Sequence, residues 1–357
     1  MTALSTAPST TFAAGAFAAE PPERRGLPRD RVRLLVADGR TGRIEHSRFH
    51  RLPDFLAPGD LVVVNNSRTV PRELDGTGPG GRPIVLHAAT ELDDGSWVVE
   101  LRTAPDAAAP VLTARPGQRY RVADRADLEL LEPYPVGAGA GPGGNGVRLW
   151  RASVHAAVPL AELLAATGRP IGYGYLSGRW PLADYQTVFG RRPGSAEMPS
   201  AGRPFTTELV TELITAGVLV APITLHTGVS SQEAGEGPQP ERFEVPAVTA
   251  RLVNDVRCAG GRVIAVGTTV TRALESAADP DGFVTEREGW TDLVLGPDRP
   301  VRAVTGLISG LHDPHASHLL LVEAVVGAEL TQRAYDAAVD AGYLWHEFGD
   351  SSLLLAP

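Results

Sequence analysis

Arg262-Val263-Ile264-Ala265-Val266-Gly267-Thr268-Thr269-Val270-Thr271-Arg272-Ala273-Leu274-Glu275-Ser276 reads as a buried strand, a tight turn and a helix. Val263, Ile264, Ala265 and Val266 form an unbroken apolar run bounded by glycines. That is the pattern of a strand covered on both faces. Thr268 or Thr269 is placed to cap the helix that follows. Such a turn presents backbone N–H groups at a helix N-terminus, where an anionic group is favoured. Arg272 and Glu275 stand three apart and so share one helical face. An ordinary βα unit with a capped helix has the same signature, and the stretch alone does not choose between the two.

Two further apolar runs resemble it. Leu61-Val-Val-Val64 delivers Asn65-Asn66-Ser67-Arg68 to its C-terminal end, and residues 218–225 end in His226-Thr227-Gly228. Open α/β sheets place their sites at such strand ends. Residues 33–38 and 43–46 read as a hairpin, and residues 248–259 as a helix. Residues 289–295, 303–308 and 353–355 read as strands, and residues 319–326 and 329–341 as helices. The segment 193–205 is long, irregular and rich in small residues, which in a compact domain marks a functional or disordered loop. Flanked by Tyr185, Phe189 and Phe205, it suits wrapping a flat ring such as adenine.

Residues 71–150 differ in character. Short alternating strands are separated by two glycine-rich runs, Gly76 to Gly81 and Gly137 to Gly146. Neither run follows a strand and opens a helix, so both read as hairpin loops rather than phosphate loops. The expected fold is an α/β large domain, residues 21–70 and 151–357, with an inserted small all-β domain, a β-barrel, at residues 71–150. Residues 1–20 are Ala/Ser/Thr-rich and are expected to be a disordered tail.

Composition removes several chemistries. All 33 basic residues are arginine, so there is no Schiff-base lysine and no phosphate-loop lysine. Cys258 is the single cysteine, which excludes a disulfide and a thiolate metal set. The net charge of -9 argues against a broad nucleic-acid-binding face. No apolar run reaches the roughly 18 residues of a membrane span. A cytoplasmic protein is expected, with a monomer as the simplest state. His312, His315 and His318 are spaced three apart, but Pro314 places them in a loop, and no metal is expected.

Several segments together resemble one family. They are Pro58-Gly-Asp-Leu-Val-Val-Val-Asn-Asn-Ser-Arg68, Tyr185-Gln-Thr-Val-Phe189, Gly194-Ser-Ala-Glu-Met-Pro-Ser-Ala-Gly202, Thr224-Leu-His-Thr-Gly228, Gly260 to Thr269, Arg272-Ala-Leu-Glu-Ser276, Gly289-Trp-Thr-Asp292 and Phe348-Gly-Asp350. In this order they are similar to the S-adenosylmethionine:tRNA ribosyltransferase-isomerases of queuosine biosynthesis. The resemblance implies an α/β domain with an inserted barrel and S-adenosylmethionine as co-substrate. It implies transfer and isomerisation of the ribosyl group onto 7-aminomethyl-7-deazaguanine in tRNA, with release of adenine and methionine. It also implies a donor site built from Asn65, Arg68, Tyr185, Gln186, Thr187, Ser200, Ala201, Gly202, Phe205, Thr227, Gly267, Thr268, Thr269 and Arg272.

That reaction needs a base beside the sulfonium, whose positive sulfur acidifies the neighbouring C–H. His226, at a strand end, is the first candidate, with His312 and Asp350 as alternatives. Arg68 and Arg272 suit a bidentate grip on a carboxylate or phosphate. The chain also departs from the family pattern. Asn66 replaces an acid, Pro204 replaces a histidine, and Thr227 to Gln232 replaces a Val-Gly-Leu-Gly-Thr-Phe run. These changes leave two other readings open: the same donor chemistry on a small-molecule acceptor, or an inactive relative that binds RNA or nucleosides.

Overall fold

The computed structural model describes residues 8–135, 146–229, 238–314 and 316–357. His315, residues 230–237 and most of the Gly137–Gly146 run lie outside the described residues.

Nine strands form the main sheet, in the order Arg287–Thr291, Glu241–Val245, Leu219–Leu225, Leu61–Asn65, Val263–Val266, Gly306–Gly310, Ser351–Leu355, Arg33–Asp38 and Arg43–Arg48. The four strands from Leu219–Leu225 to Gly306–Gly310 run parallel. Their apolar runs divide by the two-residue period of a strand. Leu61, Val63, Val263 and Ala265 face one core with the helices Ala247–Cys258, Thr268–Ala277, His318–Val326 and Ala328–Asp340. Val62, Val64, Ile264 and Val266 face a second core, closed by the helix Thr207–Thr215 and the 3-10 turn Phe49–Phe55. Register is set before the strands begin. Arg262 forks onto Asp60, with Nε 3.1 Å from both carboxylate oxygens, and Leu61 N–H donates to Arg262 O at 2.9 Å. Burial opposes the charge on Asp60, but Arg262 outweighs it and lowers the carboxyl pKa.

Glu275 does not pair with Arg272. It is buried and accepts three consecutive backbone N–H groups, from Arg302 (2.8 Å), Ala303 (2.9 Å) and Val304 (3.1 Å). It thereby fixes the loop that feeds the strand Gly306–Gly310.

The insertion is a closed six-stranded barrel, in the order Leu149–Ala156, Trp97–Thr103, Pro83–Glu91, Glu73–Thr77, Arg119–Val122 and Ala126–Pro133. Leu86, Ala88, Val99, Leu101, Leu128 and Trp150 fill its interior, and Leu160, Leu163 and Leu164 of the helix Leu160–Thr167 pack on the same core. The unit therefore extends past the expected limits of 71–150, because that helix has its apolar face on the barrel. Alternation turns His87 and Glu100 to the outside of the barrel, where residues 169–179 cover them. His87 Nε2 lies 3.0 Å from Glu73, and its Nδ1 lies 3.4 Å from Glu100, with all three side chains fully buried. Arg102 (2.6 Å) and Arg148 (3.2 Å) reach Glu100, and Arg169 and Arg179 reach Glu73.

The N-terminal stretch is not a loose tail over residues 8–20. Ser9 and Thr10 N–H groups both donate to Glu323 at 2.8 Å. Phe12 packs on Tyr335 and Trp345, and Ala18 N–H donates to Trp345 O at 2.9 Å. Half-buried Phe12 and fully buried Ala18 supply the apolar contacts that an Ala/Ser/Thr composition conceals.

Two stability predictions follow from the buried charges. Burial opposes ionisation of Glu73 and Glu100, but His87 and the arginines hold both near 2. Their contribution is full above the usual 4.5 and is lost as pH falls towards 2; that of His87, whose pKa is raised, is full below 6.5 and is lost as pH rises beyond. Urea titrations should show stability falling on acidification through that window, and Glu100→Gln should cost about 3–5 kcal/mol at neutral pH by stranding its arginines. A flat acid profile would contradict the arrangement. Glu275→Leu should cost at least about 2 kcal/mol by leaving buried N–H groups unpaired, and Glu275→Gln less, because one acceptor remains. An unchanged urea midpoint in both variants would remove the role given to Glu275.

Candidate functional site

The parallel strands end together, and a cleft of about 360 Å³ lies at their C-terminal ends. That volume falls in the range of small-molecule sites. One wall is the turn after Val266. Gly267 is the N-terminal cap of the helix Thr268–Ala277, with φ 93°, a conformation that side chains rarely adopt. A Cβ there would stand 3.2 Å from Ala201 Cβ. Gly267 N–H donates to Ile308 O at 2.7 Å, and the first helical bond is Thr271 N–H to Gly267 O. The N–H groups of Thr268, Thr269 and Val270 precede that bond and form the positive end of the helix. No side chain caps the helix, so Thr268 and Thr269 belong to its first turn rather than serving as its caps.

Arg272 lines the cleft, but its guanidinium is engaged. It pairs with Glu241 and donates to the carbonyls of Leu293, Gln239 and Thr291 at 3.0–3.1 Å. Burial raises the Glu241 pKa despite this ion pair. Opposite stand His312 and His318, stacked with centroids 4.8 Å apart. His312 Nε2 is 2.8 Å from Ser309 Oγ. Burial, the other histidine rings and, for His318, Arg272 disfavour protonation, holding His312 well below its usual value and His318 near 4. Both are neutral imidazoles at pH 7.

The third wall combines acids and aromatic rings: Phe17, Tyr173, Tyr175, Glu197, His346 and Glu347. His346 has φ 73° and reverses the chain just ahead of Glu347. Burial first, and then the charge of Glu197, push the Glu347 carboxyl up to about 8.

Of the residues expected at the donor site, Ser200, Ala201, Thr227, Gly267, Thr268, Thr269 and Arg272 line this cleft, as does His312, expected as an alternative base. The others do not. Asn65 is buried behind it and joins strand ends, with Nδ2 to Leu225 O at 2.8 Å and Oδ1 accepting from Leu225 and Ser67 N–H groups. Arg68 is exposed. Tyr185 packs on Phe348, and Phe205 sits between Phe49 and Phe189, so neither ring faces the cleft. Gln186 donates to Thr69 O at 2.9 Å. Thr187 is buried, and its methyl would meet a Cβ added at Gly202 at 3.4 Å. Asp350 accepts Arg33 and Leu344 N–H groups at 2.7 and 2.8 Å, a structural staple. His226 lies off the cleft, 2.7 Å from Ser67 Oγ, and burial together with Arg192, Arg72 and Arg242 lowers its pKa. Asn66, where the resemblance leads one to expect an acid, accepts from Thr224 Oγ1 at 2.7 Å.

Tyr173, Tyr175, Glu197, His346 and Glu347 were not singled out by sequence, and His318 was considered only for its spacing from His312 and His315. They sit in irregular segments or at a helix start, where no period tells which way a side chain points. The alternation Gly172-Tyr173-Gly174-Tyr175 was the available signal.

Among the described residues no helix is long and apolar enough to cross a membrane. The family model described as "Queuosine biosynthesis protein" matches residues 11–354. The chain is 37% identical to the S-adenosylmethionine:tRNA ribosyltransferase-isomerase of Symbiobacterium thermophilum, over 92% of this chain and 94% of that one. It is 36% identical to the protein of the same name from Thermus thermophilus, with the same coverage. The crystal structure of an S-adenosylmethionine tRNA ribosyltransferase from Thermotoga maritima aligns with a TM-score of 0.51 at 29% identity, covering 95% of this chain and 96% of that one. With the strand-end cleft and the inserted barrel in place, and with similarity running nearly end to end, this chain belongs to the queuosine biosynthesis protein family.

Proposed function

We propose that the protein is an S-adenosylmethionine:tRNA ribosyltransferase-isomerase. It transfers and isomerises the ribosyl group of S-adenosylmethionine onto 7-aminomethyl-7-deazaguanine in tRNA, and adenine and methionine leave. The names of the relatives support this reading, and they do not favour a small-molecule acceptor or an inactive RNA-binding role. The observation that carries it to the site is the polarity of the cleft. One end offers the N–H groups of Thr268 and Thr269, and the other offers the aromatic and acidic wall. The donor has a matching layout, with a carboxylate at one end and a sulfonium further along.

In this reading the Thr268 and Thr269 amides bind the methionine carboxylate. Arg272 positions that turn through the Glu241 pair and does not grip the ligand, since its donors are engaged. His312 and His318 are neutral and suit hydrogen bonding to ribose hydroxyls. The reaction is proton abstraction beside the sulfonium, opening of the ribose with loss of adenine, and attack by the acceptor amine. The cleft walls contribute by orienting the donor and excluding water.

Incubation with S-adenosylmethionine, with and without tRNA carrying the aminomethyl-deazaguanine, tests the reading by chromatography of adenine. Adenine should form only with the modified tRNA. Adenine release that is indifferent to tRNA would overturn the tRNA assignment.

A further inference from the structure

Tyr173 and Tyr175 stack with centroids 6.0 Å apart, and each gives its hydroxyl proton to a different glutamate of the cleft. Tyr173 donates to Glu197, and Tyr175 donates to Glu347 Oε1 at 3.2 Å. Beside Glu347 the rings of Phe17, Tyr175 and His346 pack on one another at centroid spacings of 4.6 to 5.5 Å. Aromatic faces next to a carboxylate suit an organic cation. The charge of Arg272 is already matched by Glu241.

We propose that Glu347 is the base that takes the proton from the carbon beside the donor's sulfonium, held in place by Tyr175 and switched on by the arrival of that cation. The assignment rests on the ribosyl-transfer reading above. As the C–H bond breaks, its electron pair stays on carbon. The proton goes to Glu347 Oε2, the oxygen not used by Tyr175. A carboxylate and a sulfonium thus become a neutral acid and a neutral ylide, and no other reactant is needed.

The groups around Glu347 explain the switching. Glu197, on the loop after Ser195, opposes its charge. Tyr175 and Arg203 favour the charge, but Arg203 is paired with Glu23. Tyr185 and His346 are neutral neighbours. With a value of about 8, Glu347 is a neutral acid in the free protein at pH 7. A sulfonium placed against it favours the charged form, so the donor itself generates the base.

Calorimetry of S-adenosylmethionine binding at pH 7, in two buffers of different ionisation enthalpy, tests this directly. Binding should release about one proton per site, as expected for a carboxyl driven to its charged form. Glu347→Gln should bind with no proton release. S-adenosylhomocysteine, whose sulfur is neutral, should release none from the unaltered protein. In turnover with modified tRNA, kcat/KM should rise with pH to a limb near 8. Glu347→Gln should lose that limb and about 10²–10⁴-fold in kcat, and Glu347→Asp should restore part of both. Proton release unchanged in Glu347→Gln, or an unchanged kcat, would overturn the assignment. Proton release that needs Glu347, without adenine from any tRNA, would overturn the ribosyl-transfer reading and leave the cation-coupled ionisation standing.

Discussion

The strands Leu61–Asn65 and Val263–Val266 are covered on both faces, and much else follows from that. A strand with no solvent face has no room for polar side chains along its length. Polar groups gather where the strands stop. There the sheet edge, the first turn of the next helix and the incoming loops meet. The Asp60–Arg262 fork fixes where the two strands start, and so where they end. A shift of one residue would exchange the two cores and move Gly267 away from Ala201.

The sheet, the barrel and the strand-end location of the cleft were legible in the sequence, because each has a period or a punctuation mark. The unbroken run Val263 to Val266 and the alternation in the barrel strands are such signals. The walls of the cleft were legible where they follow directly from a strand, as Thr227 and Gly267 do, and where a segment resembles the family, as at Ser200 and Ala201. Tyr185, Phe205, His226 and Asp350 have the right chemistry for a site, but they are turned to structural work. Phe205 fills a core between two other rings, and Asp350 holds two backbone N–H groups. Residue type says what a side chain can do; long-range packing decides whether it faces a ligand. Glu347 shows the converse. Its sequence setting is ordinary, and its character comes from Tyr175 and Glu197, which lie far away in the chain.

The buried charges divide by purpose. Glu73, Glu100 and His87 form a compensated cluster that joins the barrel to the segment covering it, and cations hold its carboxyls low. Glu347 has a carboxylate for a neighbour, and Arg203, the cation that favours its charge, is tied to Glu23. The same amino acid is thereby fixed as an anion at one place and kept as an acid at another. Low dielectric amplifies whichever neighbour is present.

The strand Ser351–Leu355 sits between Gly306–Gly310 and Arg33–Asp38, and Trp345 is hydrogen-bonded to Ala16 and Ala18. The six barrel strands all lie within residues 73–156, whereas the main sheet joins strands from residues 33–48 to residues 351–355. Within the sheet, the hairpin Arg33–Asp38 and Arg43–Arg48 is joined to the rest through the strand Ser351–Leu355. The cleft thus gains the wall formed by His346 and Glu347 only after the whole segment of the insertion has been made.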